Sequence, residues 1–181
     1  MNRNLTIRPV EVKDISLIVD YFHNADPVLL EAMGVDRGKI PSKSPWTESM
    51  RAQILLPYNK KSEMIYILEK QGNPIGHCKL DNIKYGYSGK LHLHIWHDSN
   101  RRKGIGEEMV KRCLPYFFGN FNLKTIICEP YAANEGPNRV LQKSGFAFVK
   151  KYRTTPGPMN FEQDVNRHVL EKDSFIKNDD Y

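Results

Sequence analysis

Arg101-Arg102-Lys103-Gly104-Ile105-Gly106 decides how this chain is read. Before it, Leu91-His92-Leu93-His94-Ile95-Trp96 alternates apolar and polar residues as a strand does. After it, Ile105, Met109, Val110, Cys113, Leu114, Phe117 and Phe118 fall on one face of a helix, with Glu107, Glu108, Lys111 and Arg112 on the other. The hexapeptide is therefore a strand-to-helix turn. A glycine-rich turn at a helix N-terminus aims free backbone N–H groups at one point, where the helix dipole favours negative charge. Glycine lets the backbone come close to an anion, and the three residues before Gly104 are all cations. The chemistry implied is pyrophosphate binding. The Lys-Ser/Thr ending of a nucleoside-triphosphate loop is absent, and the run is too short for a dinucleotide fingerprint.

Working outward, Leu5 to Arg8 reads as a first strand, and Asp14 as the cap of a helix with Ile15, Leu17, Ile18, Tyr21 and Phe22 on its apolar side. Residues 24–44 are punctuated by Pro27, Gly34, Gly38 and Pro41 and read as irregular; a second helix is expected from about Pro45 to Leu56. Met64 to Leu68 and Ile75 to Leu80 flank the turn Gln71-Gly72-Asn73-Pro74 and form a hairpin. The 91–96 strand is then the fourth, and Thr125 to Cys128, continuously apolar, the fifth. A short helix from Pro137 to Ser144 and strands at 146–152 and 165–170 complete an α+β domain over residues 1–171. Residues 172–181 are polar and expected to fray.

The chain has 181 residues, 40% hydrophobic and 27% charged, which suits one folded domain and excludes wholesale disorder. No apolar run approaches the ~18 residues of a membrane span, and the first residues carry no apolar leader segment. Cys78, Cys113 and Cys128 each sit in an apolar run without a CxxC pair and read as reduced core residues of a cytoplasmic protein. Lys plus Arg is 27 against 21 for Asp plus Glu, a net charge of +6. That surface attracts anions without choosing among nucleic acid, lipid headgroups and polyphosphates. No recognised nucleic-acid motif is present, and the six histidines lack partners at metal-ligand spacing.

Arg-x-x-Gly-x-Gly after a strand resembles the acyl-coenzyme A pyrophosphate loop of the GNAT N-acetyltransferases. A second segment, Asn134 to Phe146 with Lys143-Ser144-Gly145-Phe146 at its end, is similar to the family's "Asn…Lys-x-Gly-Phe" helix. The two occur in the family's order over roughly residues 5–170, and the likeness is strongest to the ribosomal-protein N-terminal acetyltransferase branch. The resemblance implies a mixed, mostly antiparallel sheet whose fourth and fifth strands splay apart, with acetyl-CoA as acyl donor lying in the gap. It places a fourth-strand bulge near Ile95, Trp96 and His97, whose unpaired backbone would bond the pantetheine arm. It also implies that residues Arg101, Arg102, Lys103, Gly104, Ile105 and Gly106 hold the pyrophosphate, that Asn134 and Asn138 face the pantetheine, and that Lys143 faces the phosphates. The acceptor would be a small amine or a peptide N-terminus, and a homodimer is allowed for.

Acyl transfer to an amine needs removal of an ammonium proton and a donor for the oxygen that gains charge. His92 and His94 share strand parity, and histidine as a residue type ionises near neutral pH, so each is a candidate base, directly or through water. Ordinary packing in a sheet is the competing reading for both. Glu129, just past the fifth strand, is a third candidate, against a solvated strand end. The family's acid is often a tyrosine at the position of Leu141, and the ribosomal-protein branch often has serine at that of Pro137; neither residue here donates a proton. Tyr131 is the nearest substitute. Two other readings stay open: an acyl-coenzyme A-binding module without catalysis, and an RNA-binding surface. Residues 24–58 are expected to shape the acceptor site, with Met33 to Asp36, Trp46 and Met50 lining it and Asp26, Glu31 and Asp36 drawing the amine.

Overall fold

The computed structural model describes residues 4–179. The residues before position 4, where no apolar leader is expected, and the last two of the polar tail lie outside the described residues. The strands are β1 (Leu5–Pro9), β2 (Met64–Lys70), β3 (Asn73–Lys84), β4 (Ser88–Ile95), β5 (Thr125–Cys128), β6 (Ala147–Thr154) and β7 (Gln163–Glu171). The helices are α1 (Ile15–His23), α2 (Pro27–Ala32), α3 (Lys43–Leu55), α4 (Ile105–Phe121), α5 (Glu135–Lys143) and α6 (Lys172–Asp179). One sheet runs in the order β1-β2-β3-β4-β5-β7-β6. Every neighbouring pair is antiparallel except β4–β5. Among the described residues no helix is long and apolar enough to cross a membrane.

Each face of the sheet buries its own apolar cluster. On one face α4 supplies Ile105, Met109, Val110, Cys113, Leu114, Phe117 and Phe118, the whole stripe read from the sequence. These pack on Leu80 and Leu91 of the sheet and on Leu141 of α5. On the other face Ile15, Ile18, Val19 and Phe22 of α1, Leu30 of α2 and Met50 of α3 cover Ile65 and Ile67 of β2. Burying each such side chain contributes about 1.5–3 kcal/mol, so the two layers pin the sheet between them.

Three local expectations are corrected. Residues 27–32 form α2, because Asp26 accepts the Val28 N–H and Pro27 takes the first helical position. Asp14 does not cap α1 through its side chain. It is buried, and its carboxylate accepts the Arg8 guanidinium at 2.6 and 2.9 Å and the Glu11 N–H at 2.8 Å. The tail beyond residue 171 continues as α6, where Phe175 stacks on Phe118 of α4 with centroids 5.2 Å apart. One aromatic contact holds a segment whose composition is otherwise that of a solvated tail.

The second face carries a stacked imidazole pair, His77 buried and His94 half-buried. Pairing of His77 with His94 across β3 and β4 stacks the rings, centroids 4.8 Å apart. Tyr21 and Phe22 of α1 meet His94 edge-on, and Trp96 donates its Nε1–H to His77 Nδ1 at 2.8 Å. Burial, then His94, Lys79 and His92, hold His77 well below its ordinary range. Burial, then His92, Lys79 and Arg101, bring His94 down to about 3. Burial also lowers His168 of β7.

These shifts set the acid response. A histidine whose folded pKa lies below its unfolded value of about 6.5 binds fewer protons folded than unfolded. Its contribution is whole above that value and is lost as pH falls toward the folded pKa, for His94 from about 6.5 down to about 3. The carboxyls of Asp14, Asp81 and Glu129, also held low, add their loss only below their unfolded values near 4. The urea midpoint at about pH 5 should therefore lie below that at about pH 7.5, and His94→Gln should narrow the difference. Equal midpoints in the parent chain would contradict this account.

Candidate active site

The β4–β5 pairing is short: Ser88 with Thr125, Gly89 with Ile126, Lys90 with Ile127. Beyond it the strands part. At the root of the gap the Cys128 thiol donates to the Leu91 carbonyl at 3.0 Å. A cleft opens there, with residues 91–94 on one wall and residues 128–131 on the other. Asn134 and Pro137 continue it toward α5, and Met33, Asn160 and Gln163 close the far side.

The expected bulge at Ile95, Trp96 and His97 is absent. The β3–β4 register runs unbroken from Gly76 opposite Ile95 to Asp81 opposite Lys90, and its irregularity lies beyond Asp81. Gly76 explains this, because a Cβ there would lie 2.4 Å from the His94 carbonyl oxygen. Without one, β3 follows β4 closely to its end. Trp96 donates its N–H to Ile75 O, and the Ile95 carbonyl accepts Nε and Nη2 of Arg101. His97 is exposed and its carbonyl accepts the Asn100 N–H. Because Trp96 N faces β3 and Leu91 O faces β5, strand alternation turns the Leu93 backbone toward the gap, where β5 no longer pairs.

The glycine turn has the anticipated form. Arg102 and Gly104 both adopt positive φ, +57° and +75°. No hydrogen bond among the described residues uses the backbone N–H groups of residues 102–106, and Gly104 caps α4 without side-chain help. Such a run of free N–H groups at a helix head is a candidate anion nest. Arg102, Lys103 and Gly104 are exposed, while Ile105 is buried and anchors the turn. A Cβ at Gly104 would meet nothing within 4 Å, so glycine is required for φ rather than for room. Arg101 differs from its neighbours. Its N–H donates to Asp98 O and its guanidinium is engaged by Ile95 O and, at 2.6 Å, Asp98, so it fastens the turn to the strand end.

The two asparagines separate. Asn134 lines the cleft at the head of α5. Asn138 is buried with its amide fully used. Nδ2 donates to Tyr131 O and Asn134 O, and Oδ1 accepts from Asn166 Nδ2 at 2.9 Å and His168 Nε2 at 3.1 Å. Nothing remains for a pantetheine, and Asn138 instead staples α5 to β7. Lys143 is exposed in the last turn of α5.

His92 and His94 both line the cleft. His94, desolvated against aromatic rings, is held neutral. His92 Nε2 lies 3.1 Å from the Asp81 carboxylate, though outside hydrogen-bond angles, and its side chain is 32% exposed. Burial raises the Asp81 carboxyl, and His92 followed by Lys79 and Lys90 outweigh it, so the group stays low. Glu129 is no solvated strand end. It accepts Lys90 Nζ at 2.8 Å, Arg167 Nη1 at 2.8 Å and the Tyr152 hydroxyl. Burial pushes this carboxyl up, and Lys90, Tyr152 and Arg167 together bring it below its ordinary range. That leaves it a weak proton acceptor. Leu141 is wholly buried, whereas Tyr131 supplies the one hydroxyl lining the cleft among the described residues.

The expected acceptor wall holds only in part. Met33 lines the cleft, and Gly34 and Asp36 are sewn to residues 159–163. Trp46 and Met50 pack in the core of the second face. Asp26 and Asp36 spend their carboxylates on helix caps, and Glu31 is exposed. Asp81 and Gln163 went unread in the sequence. The hairpin register that sets Asp81 beside Lys90 would have pointed to the first; no local signal marked the second.

The chain matches the acetyltransferase (GNAT) domain family over residues 4–147. A comparison with curated proteins finds no match. Among solved structures it is similar to spermidine N-acetyltransferase from Vibrio cholerae in complex with CoA and spermine, at 22% identity over 97% of this chain and 99% of that one, with a TM-score of 0.78. It is similar to RimL, a ribosomal-protein alpha-N-acetyltransferase in complex with coenzyme A, at 13% identity over 96% and 97%, with a TM-score of 0.76. Aminoglycoside acetyltransferase AAC(6')-Ib in complex with coenzyme A shares 18% identity over 97% and 99%, with a TM-score of 0.74. With its splayed sheet, its glycine turn at the head of α4 and a family match over most of its length, the chain belongs to the GNAT acetyltransferase family.

Proposed function

We propose that the chain transfers an acetyl group from acetyl-CoA to a primary amine by direct attack with both substrates bound. The observation that carries this reading is the run of free N–H groups at residues 102–106, heading α4, in a chain whose parted β4 and β5 leave a cleft that His92 lines. The turn suits a pyrophosphate: its N–H groups are unused, it heads a helix dipole, and its side chains are cationic. The Leu93 backbone and Asn134 are placed to hold the pantetheine arm along the gap, and exposed Lys143 to meet phosphate charge. Acetyl-CoA, when bound, supplies an activated thioester.

His92 takes the ammonium proton, directly or through water, with Asp81 stabilising the charge it gains. The neighbouring Asp81 carboxylate favours it over His94, which desolvation keeps neutral, and over Glu129, which three donors hold ionised. Tyr131 is the candidate donor toward the departing sulfur, a modest demand because a thiol ionises near pH 8.5. Cys128 is no nucleophile, since burial pushes its thiol up. The three buried free thiols suit a reducing, cytoplasmic setting. Leu141 and Pro137 favour the second reading, a binding module, because neither gives a proton; coenzyme A release with a panel of amines separates the two.

Two substitutions test the assignment. Gly104→Val forces a β-branched residue into φ +75° and turns the nest's donors away. Calorimetry should then show acetyl-CoA binding weakened by about 10-fold or more with the helical signal retained. Unchanged affinity would remove the nest from the site. His92→Gln should lower turnover by roughly 10²–10⁴-fold at neutral pH with acetyl-CoA affinity preserved, and the loss should shrink as pH rises and the amine arrives deprotonated. Near-normal turnover there, with Glu129→Gln inactive, would move the base to Glu129.

A further inference from the structure

The sheet face that meets α1 carries a ladder of ionisable pairs across β3 and β4: His77 with His94, Lys79 with His92 and Asp81 with Lys90. His92 stands diagonal to Asp81, whose Oδ2 lies 3.1 Å from its Nε2. The second carboxylate oxygen, Oδ1, accepts Asn82 Nδ2 at 3.2 Å. Lys79 stands back from Oδ2 at 4.0 Å, drawn instead to Glu63 at 2.6 Å. Lys90 is likewise drawn away, to Glu129 at 2.8 Å. Of the groups around it, Oδ2 therefore stands closest to the imidazole.

The two ring nitrogens of His92 are not equivalent. Nε2 is buried and lies outside hydrogen-bond angles, so the carboxylate acts on it through charge. Nδ1 is neither buried nor bonded among the described residues, in a half-buried side chain that lines the cleft. A neutral ring with its lone pair on Nε2 would set that pair 3.1 Å from an anionic oxygen, acceptor against acceptor. With the proton on Nε2 the same approach is attractive, and the lone pair then falls on Nδ1. Turning the ring over would only put Cε1 where Nε2 stands and give up that attraction.

Building on the transferase reading above, we infer that Asp81 is a positioning residue that keeps the His92 proton on Nε2, and that Nδ1 is the atom that takes the proton of the ammonium, directly or through one water. The ammonium N–H bond breaks as the Nδ1–H bond forms. Its electron pair stays on the amine nitrogen, which then attacks the thioester carbonyl. The imidazolium holds both protons, its Nε2–H toward Asp81, until solvent removes the one on Nδ1. Lys79 works in the opposite sense from across the ladder, because its cation disfavours the imidazolium that Asp81 favours. His94 stands beside them on the same face, and burial keeps it neutral.

The test joins ring 1H–15N NMR to pH profiles of the full chain and of Asp81→Asn and Lys79→Met, with folding checked by circular dichroism. Acceptors are phenethylamine, the dipeptide amide Ala-Phe-NH2 and spermidine, and the profile uses whichever turns over fastest. At alkaline pH the parent His92 should show a protonated Nε2 and a bare Nδ1. In Asp81→Asn the amide can aim its NH2 at Nε2 and favour the other tautomer. The Nδ1–H form should then appear and kcat fall by about 10-fold or more, with the calorimetric affinity for acetyl-CoA within about twofold. The acid limb of kcat/KM should move to lower pH in Asp81→Asn and to higher pH in Lys79→Met, each by about half a unit. Ionisation of the amine is common to all three proteins and drops out of the comparison. Lost packing would lower rates without moving the limb in opposite directions. A parent His92 with its proton on Nδ1, or limbs that fail to move oppositely, overturns the inference and leaves the transferase reading standing. Acetyl-CoA bound with no coenzyme A released to any of the three amines overturns both.

Discussion

Three residue pairs hold β4 to β5, and the site depends on their being only three. Backbone groups in a sheet interior must pair or find another partner. Where the two strands part after Lys90 and Ile127, the groups facing the gap are left to thiol, guanidinium or substrate. The Cys128 thiol takes Leu91 O and Arg101 takes Ile95 O, which leaves the Leu93 backbone between them. A longer parallel ladder would close the cleft that opens beyond Lys90 and Ile127.

Around this opening the interior is unusually polar, and its polarity is spent on geometry. Asn138 bonds four partners to fix α5 against β7. Glu129 gathers Lys90, Tyr152 and Arg167, tying β4, β6 and β7 together behind one wall. The His77–His94 stack joins the sheet to α1. Groups so engaged are poor reagents, because a carboxylate held ionised by two cations has little appetite for a proton. The imidazole of His92 is held more loosely, its Nε2 3.1 Å from the Asp81 carboxylate and outside hydrogen-bond angles.

Much of this was legible in the sequence where the signal is local. The apolar stripe of α4, the glycine turn and the order of strands depend on periodicity and backbone freedom that a few residues set. The Asp26-Pro27 start of α2 was equally local and was obscured only because proline was taken as punctuation. Roles that depend on partners far along the chain were not legible. Glu129 looked like a solvated strand end because Arg167 and Tyr152 reach it across the sheet. Asn138 resembled a ligand-facing residue because nothing in its own helix shows that Asn166 and His168 occupy its oxygen. The absent bulge turned on one glycine in the neighbouring strand, Gly76, and the tail helix on one ring, Phe175, meeting Phe118.

At the far border of the sheet, β6 is open along its length, and Phe148 and Val149 are each 54% exposed. An open border with apolar side chains is a template on which a second chain can add itself strand by strand. Here the same strand carries Lys150, Lys151 and Arg153, and its register slips between Phe148 and Lys150. A copy laid antiparallel against it would bring cations onto cations along a kinked ladder. Part of the chain's positive charge thus acts as a guard against polymerisation, a duty separate from any attraction for phosphate.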